Sequence, residues 1–172
     1  MGASENNITL FIFRNTIPLR PEHPKPRTLS EELLREAKEF HGHRGPFLTL
    51  GLRVGLAALR LLDAEGWFDL RCQVRLPLRV PETCLLDGIQ LSTGCTLGKR
   101  NIEVEEGEGV EARFEKRAGG RLLIKVRPQT LSFIEETLSR GCEGAMEVVR
   151  YLIEAPDEEL FTVQRGRRSM GP

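Results

Sequence analysis

The sequence predicts an α+β fold, a single domain in which an antiparallel sheet packs with helices. Three observations carry this expectation. Apolar residues recur at helical spacing over residues 28–61 and again over 129–153. Between them, residues 72–80 and 101–127 alternate apolar with polar side chains, as half-buried strands do. The two kinds of segment do not follow one another as regular βαβ units. At 172 residues the chain is long enough to bury a core without disulfide support. The expected organisation is an extended arm at 1–27, one domain at 28–164 and a flexible tail at 165–172.

In the arm, Ile8–Phe13 could pair as a short strand, after which Pro18, Pro21, Pro24 and Pro26 impose an extended path. Thr28 with Glu31 fits a capping box, and Leu33, Leu34, Ala37 and Phe40 follow it at helical spacing. His41-Gly42-His43 should break that helix, and Pro46 should open a second one carrying Leu50, Val54, Ala57, Ala58 and Leu61 on one face. Cys72 to Val80 reads as a strand that Pro77 assigns to an edge or irregular position. Residues 84–93 read as a short helix ending at Gly94. Asn101–Glu105, Val110–Lys116 and Arg121–Arg127 read as antiparallel strands, the last two joined by a turn at Ala118-Gly119-Gly120. Residues 129–153 read as helix, with Gly141 and Gly144 as points of kinking or close packing. A last turn and an extended segment follow over 156–163.

The bulk numbers exclude some classes of function. Formal charge is zero, so the balance points neither to nucleic acid nor to a membrane surface. No apolar run approaches the roughly 18 residues of a membrane span. The four cysteines are scattered and form no CxxC, and the first residues are polar, without a signal-peptide pattern. The expectation is a cytoplasmic protein with reduced thiols.

Two segments carry most of the candidate chemistry. Phe40-His41-Gly42-His43-Arg44-Gly45-Pro46 places two imidazoles in a turn at the start of a helix, whose positive end disfavours protonated histidine. Cys84-Leu85-Leu86-Asp87 and Thr93-Gly94-Cys95-Thr96-Leu97-Gly98-Lys99 add two thiols, a carboxylate and a cation. Zinc takes mixed His, Cys and carboxylate ligands, so the two segments together point to a metal site. Read alone, each is weaker: an HxH pair can be a capped turn, free cysteines are among the most buried residues, and Asp87 can simply cap a helix. Gly94 to Arg100 fails the phosphate-loop pattern, because three residues separate its glycines and Arg100 stands where Ser or Thr would hold magnesium. Lys99 could still attract an anion. Cys95 as a nucleophile ranks below metal binding, because no orienting group lies at a recognisable spacing.

The pattern Phe40-His41-Gly42-His43…Pro46, Gly51, Cys84-x-x-Asp87-x-Ile89-Gln90 and Thr93-Gly94-Cys95-Thr96-x-Gly98-Lys99-x-Asn101 resembles the FmdE-like family, named for the formylmethanofuran dehydrogenase component FmdE. The segment Asp157 to Val163 resembles that family's domain end. The resemblance spans roughly residues 30–164. It implies an α+β domain with a metal site commonly holding zinc, and a tendency to form homodimers. It also implies association with the molybdenum or tungsten oxidoreductase that reduces carbon dioxide onto methanofuran in methanogenic archaea. Carried over residue by residue, the site is His41, His43, Cys84 and Cys95, with Asp87 as a partner that orients a histidine. Two departures stand out. The cysteine usual two positions after the second histidine is Gly45 here, and Phe47 replaces a glycine. No cysteine follows Cys142, so the small C-terminal zinc finger of many members is expected to be missing.

Three functions follow as expectations. The leading one is a metal-binding accessory domain, with zinc or another divalent transition metal and with oxidoreductase subunits as partners. A second is a stand-alone metal-dependent enzyme with Asp87 as base and Lys99 holding a small anionic substrate. A third is a metal-free scaffold.

Overall fold

The computed structural model describes residues 23–166. The Ile8–Phe13 strand, the first part of the arm and residues 167–172 of the tail lie outside them. Among the described residues six helices accompany one five-stranded sheet. The order is α1 (Glu31–His41), α2 (Pro46–Leu62), a short 3-10 turn (Trp67–Asp69), β1 (Leu70–Leu76), α3 (Cys84–Thr93), β2 (Ile102–Glu106), β3 (Glu111–Lys116), β4 (Arg121–Val126), α4 (Pro128–Leu138), α5 (Cys142–Glu154), α6 (Asp157–Leu160) and β5 (Phe161–Gly166).

α1 starts two residues later than the Thr28 capping box implied. Ser30 is its cap, accepting a hydrogen bond from the Leu33 N–H at 3.1 Å. The helix stops at Gly42, whose φ of 93° places it in the left-handed region that glycine enters without strain. Pro46 then opens α2 at its first turn, where a missing N–H costs nothing. α2 is buried almost all round from Pro46 to Leu59, so it is the central helix. One side packs on α1 through Leu48, Leu52 and Leu56 against Leu33, Leu34 and Ala37. The other packs through Leu50, Val54 and Ala57 into the main core, with Val74, Phe114 and Ile124 of the sheet.

The sheet order is β2-β1-β3-β4-β5. The α+β class holds, but the sheet is mixed: three of its four pairings are antiparallel, and the strand expected at Asn101–Glu105 as antiparallel makes the one parallel pairing. β2 runs parallel to β1, Cys72 opposite Ile102 and Leu76 opposite Glu106. Parallel neighbours need a crossover, and α3 supplies it, making β1-α3-β2 a single βαβ unit. This unit also makes β1 an inner strand, so of the edge or irregular position that Pro77 allowed, the edge is not the one taken. The strand ends at Leu76, so the proline follows it and removes no ladder bond.

The long helical stretch after β4 divides in two. Gly141 has φ 80°, ending α4 and admitting α5, and a Cβ at Gly144 would overlap the Thr137 carbonyl. The last strand passes the expected domain edge at 164: Arg165 pairs with Leu122 and Gly166 with Arg121. Arg53 of α2 ties this C-terminal part to the core. It donates to the carbonyls of Leu152 and Ala155 and to the Asp157 carboxylate at 2.8 Å, and Arg60 bonds the other Asp157 oxygen. A guanidinium only 12% exposed thus closes the end of α5, where helix carbonyls lack partners.

Candidate functional site

The site begins with a close helix pair. Gly51 on α2 and Gly88 on α3 face each other's backbones. A Cβ at Gly51 would overlap the Leu85 carbonyl, and one at Gly88 would overlap the Leu48 carbonyl. Small residues at such a crossing let two backbones approach where larger ones would hold them apart. The start of α3 therefore lies beside the turn that joins α1 to α2. His41, the last residue of α1, meets Asp87 in the first turn of α3, with Nδ1 2.7 Å from Oδ2.

This contact sets the histidine's chemistry. A carboxylate can only accept, so the Nδ1–H donates to it, and in the neutral ring the lone pair remains on Nε2. That Nε2 is buried and has no hydrogen-bond partner. The side chain as a whole is only 10% exposed. A buried acceptor without a donor is uncommon, because it loses its water and gains nothing in return. His43 stands beside it, the ring centroids 4.7 Å apart and the planes tilted by 40°. The His43 ring also covers Gly45, where a Cβ would lie 3.0 Å from its Nε2. The place of the cysteine in the related pattern is thus taken up by imidazole.

Cys84 opens α3 at this same end. It is partly buried, and burial first, then the Asp87 charge, pushes its thiol up from the ordinary cysteine range. Cys95 is not brought to the histidines. It follows α3 at the opposite end, and ten residues of helix span about 15 Å. Its side chain is completely buried, and its thiol donates to the Leu70 carbonyl at 3.4 Å. Burial pushes it up to about 11. Its neighbour in the core is Cys72, raised by burial and then by Cys95. Lys99 lies beyond that same far end, its Nζ 3.1 Å from Thr96 Oγ1, and so stands apart from Asp87. Among the described residues no three His, Cys, Asp or Glu side chains converge on one point.

Two further residues at the far end had no motif to mark them. The Trp67 indole lies under Lys25, with Nζ 4.3 Å from the ring centroid, and near Lys99, at 5.2 Å. Their meeting depends on the chain folding back over itself, and the only sequence hint was that Trp67 is the single tryptophan.

With the fold and the histidine turn in place, comparison with known proteins identifies the class. Residues 40–162 match the family model described as "FmdE, Molybdenum formylmethanofuran dehydrogenase operon", and the chain belongs to this FmdE family. The crystal structure of a tungsten formylmethanofuran dehydrogenase FmdE-like protein from Syntrophus aciditrophicus shares the fold. Its TM-score is 0.55 at 18% identity, over 80% of this chain and 71% of that one. A curated relative from Archaeoglobus fulgidus, "Probable S-adenosyl-L-methionine-binding protein", is 39% identical over 84 residues. That match spans 47% of this chain and 22% of the relative, so the chain covers about a fifth of its length.

Proposed function

We propose that this protein is an FmdE-type accessory domain that takes up a divalent transition metal, with zinc as the first candidate, at the His41–His43 end of α3. The observation that carries the reading is the buried, unpartnered Nε2 of His41, held in its lone-pair tautomer by Asp87. His41 and His43 would be the protein donors, with Cys84 close by on the first residue of α3. Two imidazoles leave coordination positions for water or for a group from outside the chain, and a metal there would act as a Lewis acid. Cys95 has no part in this site. The family's operon supports oxidoreductase subunits as partners, and the homodimer stays an expectation from the sequence resemblance alone.

Zinc titration by calorimetry, with the bound metal counted by mass spectrometry, tests the reading. Wild-type protein should bind about one zinc per chain, and His41→Ala should weaken binding by about tenfold or more. Equal binding by the two would remove His41 from the site.

The metal-free scaffold is the second reading, favoured by the lack of a third converging donor among the described residues. No zinc uptake by the wild type, together with a melting temperature indifferent to chelator, would select it.

A further inference from the structure

The far end of α3 carries an arrangement that the metal reading does not use. We propose that Lys25 and Lys99, set against the Trp67 indole, hold an oxyanion, the phosphoryl or carboxylate group of a small ligand.

The ring is fixed from several sides. Trp67 sits in the left-handed backbone region at φ 56°, which a bulky side chain rarely occupies without support. Support comes from Asn101, whose Nδ2 donates to the Trp67 carbonyl at 2.6 Å, and from the indole N–H, which donates to the His23 carbonyl at 3.1 Å. Gly94 lies against the ring, where any Cβ would come within 2.7 Å of it. The indole is therefore pinned at its backbone, its edge and its face.

Both cations are held to this ring. The Lys25 backbone N–H bonds the Glu65 carbonyl at 3.0 Å, and its stem lies across Gly66. Lys99 is anchored to Thr96 by its Nζ and by its backbone N–H. An indole face attracts a cation, and both ammonium groups lie within the roughly 6 Å over which that attraction acts. One ring cannot neutralise two charges. Among the described residues neither lysine has a carboxylate at ion-pairing distance; Glu36 of α1 acts on Lys25 only through space. Burial lowers the Lys25 ammonium from its ordinary value; the Glu36 charge works the other way, and the Lys99 charge, the smaller of the two, lowers it. Two like charges set against one ring and partly out of water call for a counter-charge, and an oxyanion that reaches both would supply it.

Because Trp67 is the chain's single tryptophan, its fluorescence reports on this place alone. The full chain would be titrated with inorganic phosphate and, separately, malonate, each against sodium chloride of matched ionic strength. A saturable change with either, beyond the chloride control, supports the site and shows which oxyanion it takes. The Lys25→Met/Lys99→Met double variant should bind about tenfold more weakly or worse. If circular dichroism shows that variant unfolded, Lys99→Met alone is measured in its place. His41→Ala should respond as the wild type does, which keeps this test separate from that of the metal site. No saturable change with either anion, or an unchanged response in the folded lysine variant, would overturn the proposal.

Discussion

The two ends of α3 each begin from a cysteine beside a turn, and they end in opposite surroundings. At the first end Cys84 is partly exposed, Asp87 orients His41, and a buried imidazole nitrogen is left without a partner. At the second end Cys95 is sealed in the core beside Cys72, and its thiol is satisfied by the Leu70 carbonyl. The residue types are the same, so type alone does not decide the chemistry. Burial and the neighbouring polar groups do. A thiol that has lost its water and gained a carbonyl is a small core residue, whereas an imidazole whose second nitrogen is pinned by a carboxylate is poised to bind.

Both ends depend on the glycine-lined crossing between α2 and α3, so the largest effect should come from breaking it. Gly51→Ala puts a methyl group into the Leu85 carbonyl, and only a shift of the whole helix relieves a clash with backbone. Alanine's better helix propensity, about 1 kcal/mol, works in the opposite direction. Overpacking of a tight interface typically costs about 1–3 kcal/mol, and here the obstacle is rigid, so a net loss of roughly 2 kcal/mol is expected. Urea denaturation measures it. Unchanged stability would mean that the helices part easily and that the His41–Asp87 contact does not rest on their approach.

The next test separates the two ends directly. Asp87→Asn keeps the shape but makes the partner of His41 Nδ1 ambiguous between donor and acceptor. Removing such an orienting carboxylate typically lowers metal affinity by roughly tenfold or more. Cys95→Ser should leave zinc affinity unchanged, reversing what its spacing in the sequence implied. Zinc calorimetry on the two variants gives the answer. A loss in the serine variant equal to that in Asp87→Asn would join the ends into one site and undo the comparison.

Much of this was legible in local sequence, and the exceptions have physical causes. Gly42, Pro46, Gly94 and the Ala118–Gly120 turn each control backbone conformation within a few residues, so the elements around them follow from the sequence to within a residue or two. The parallel position of β2 does not, because pairing across a crossover depends on how α3 folds back and leaves no mark in five residues of strand. The separation of Cys84 from Cys95 was within reach. A helix over 84–93 already puts them at opposite ends, a geometry that their closeness along the chain conceals. That Asp87 would meet a histidine was legible from the family pattern, whereas the meeting of Lys25, Lys99 and Trp67 is purely tertiary.

A further contrast is the pH dependence that the buried Cys95 brings to the sealed end. Burial raises the Cys95 thiol from 9.0 to about 11 in the folded protein, while the unfolded chain keeps the ordinary value. The folded state therefore holds its proton more tightly. The contribution is fully present below the unfolded value and is lost as pH rises through the folded one. Each tenfold change in proton affinity is worth about 1.4 kcal/mol, so stability should fall by roughly 2 kcal/mol between pH 9 and 11 on account of this group. Cys72, raised by the same burial, adds to the fall in the same sense. Serine does not titrate in this range, so the difference between wild type and Cys95→Ser isolates the Cys95 share from lysine and tyrosine titration. Urea midpoints for both proteins across this window should converge as pH rises. Parallel curves would mean that water reaches Cys95, and the contrast between a sealed end and an open end of α3 would then fail at the residue on which it chiefly rests.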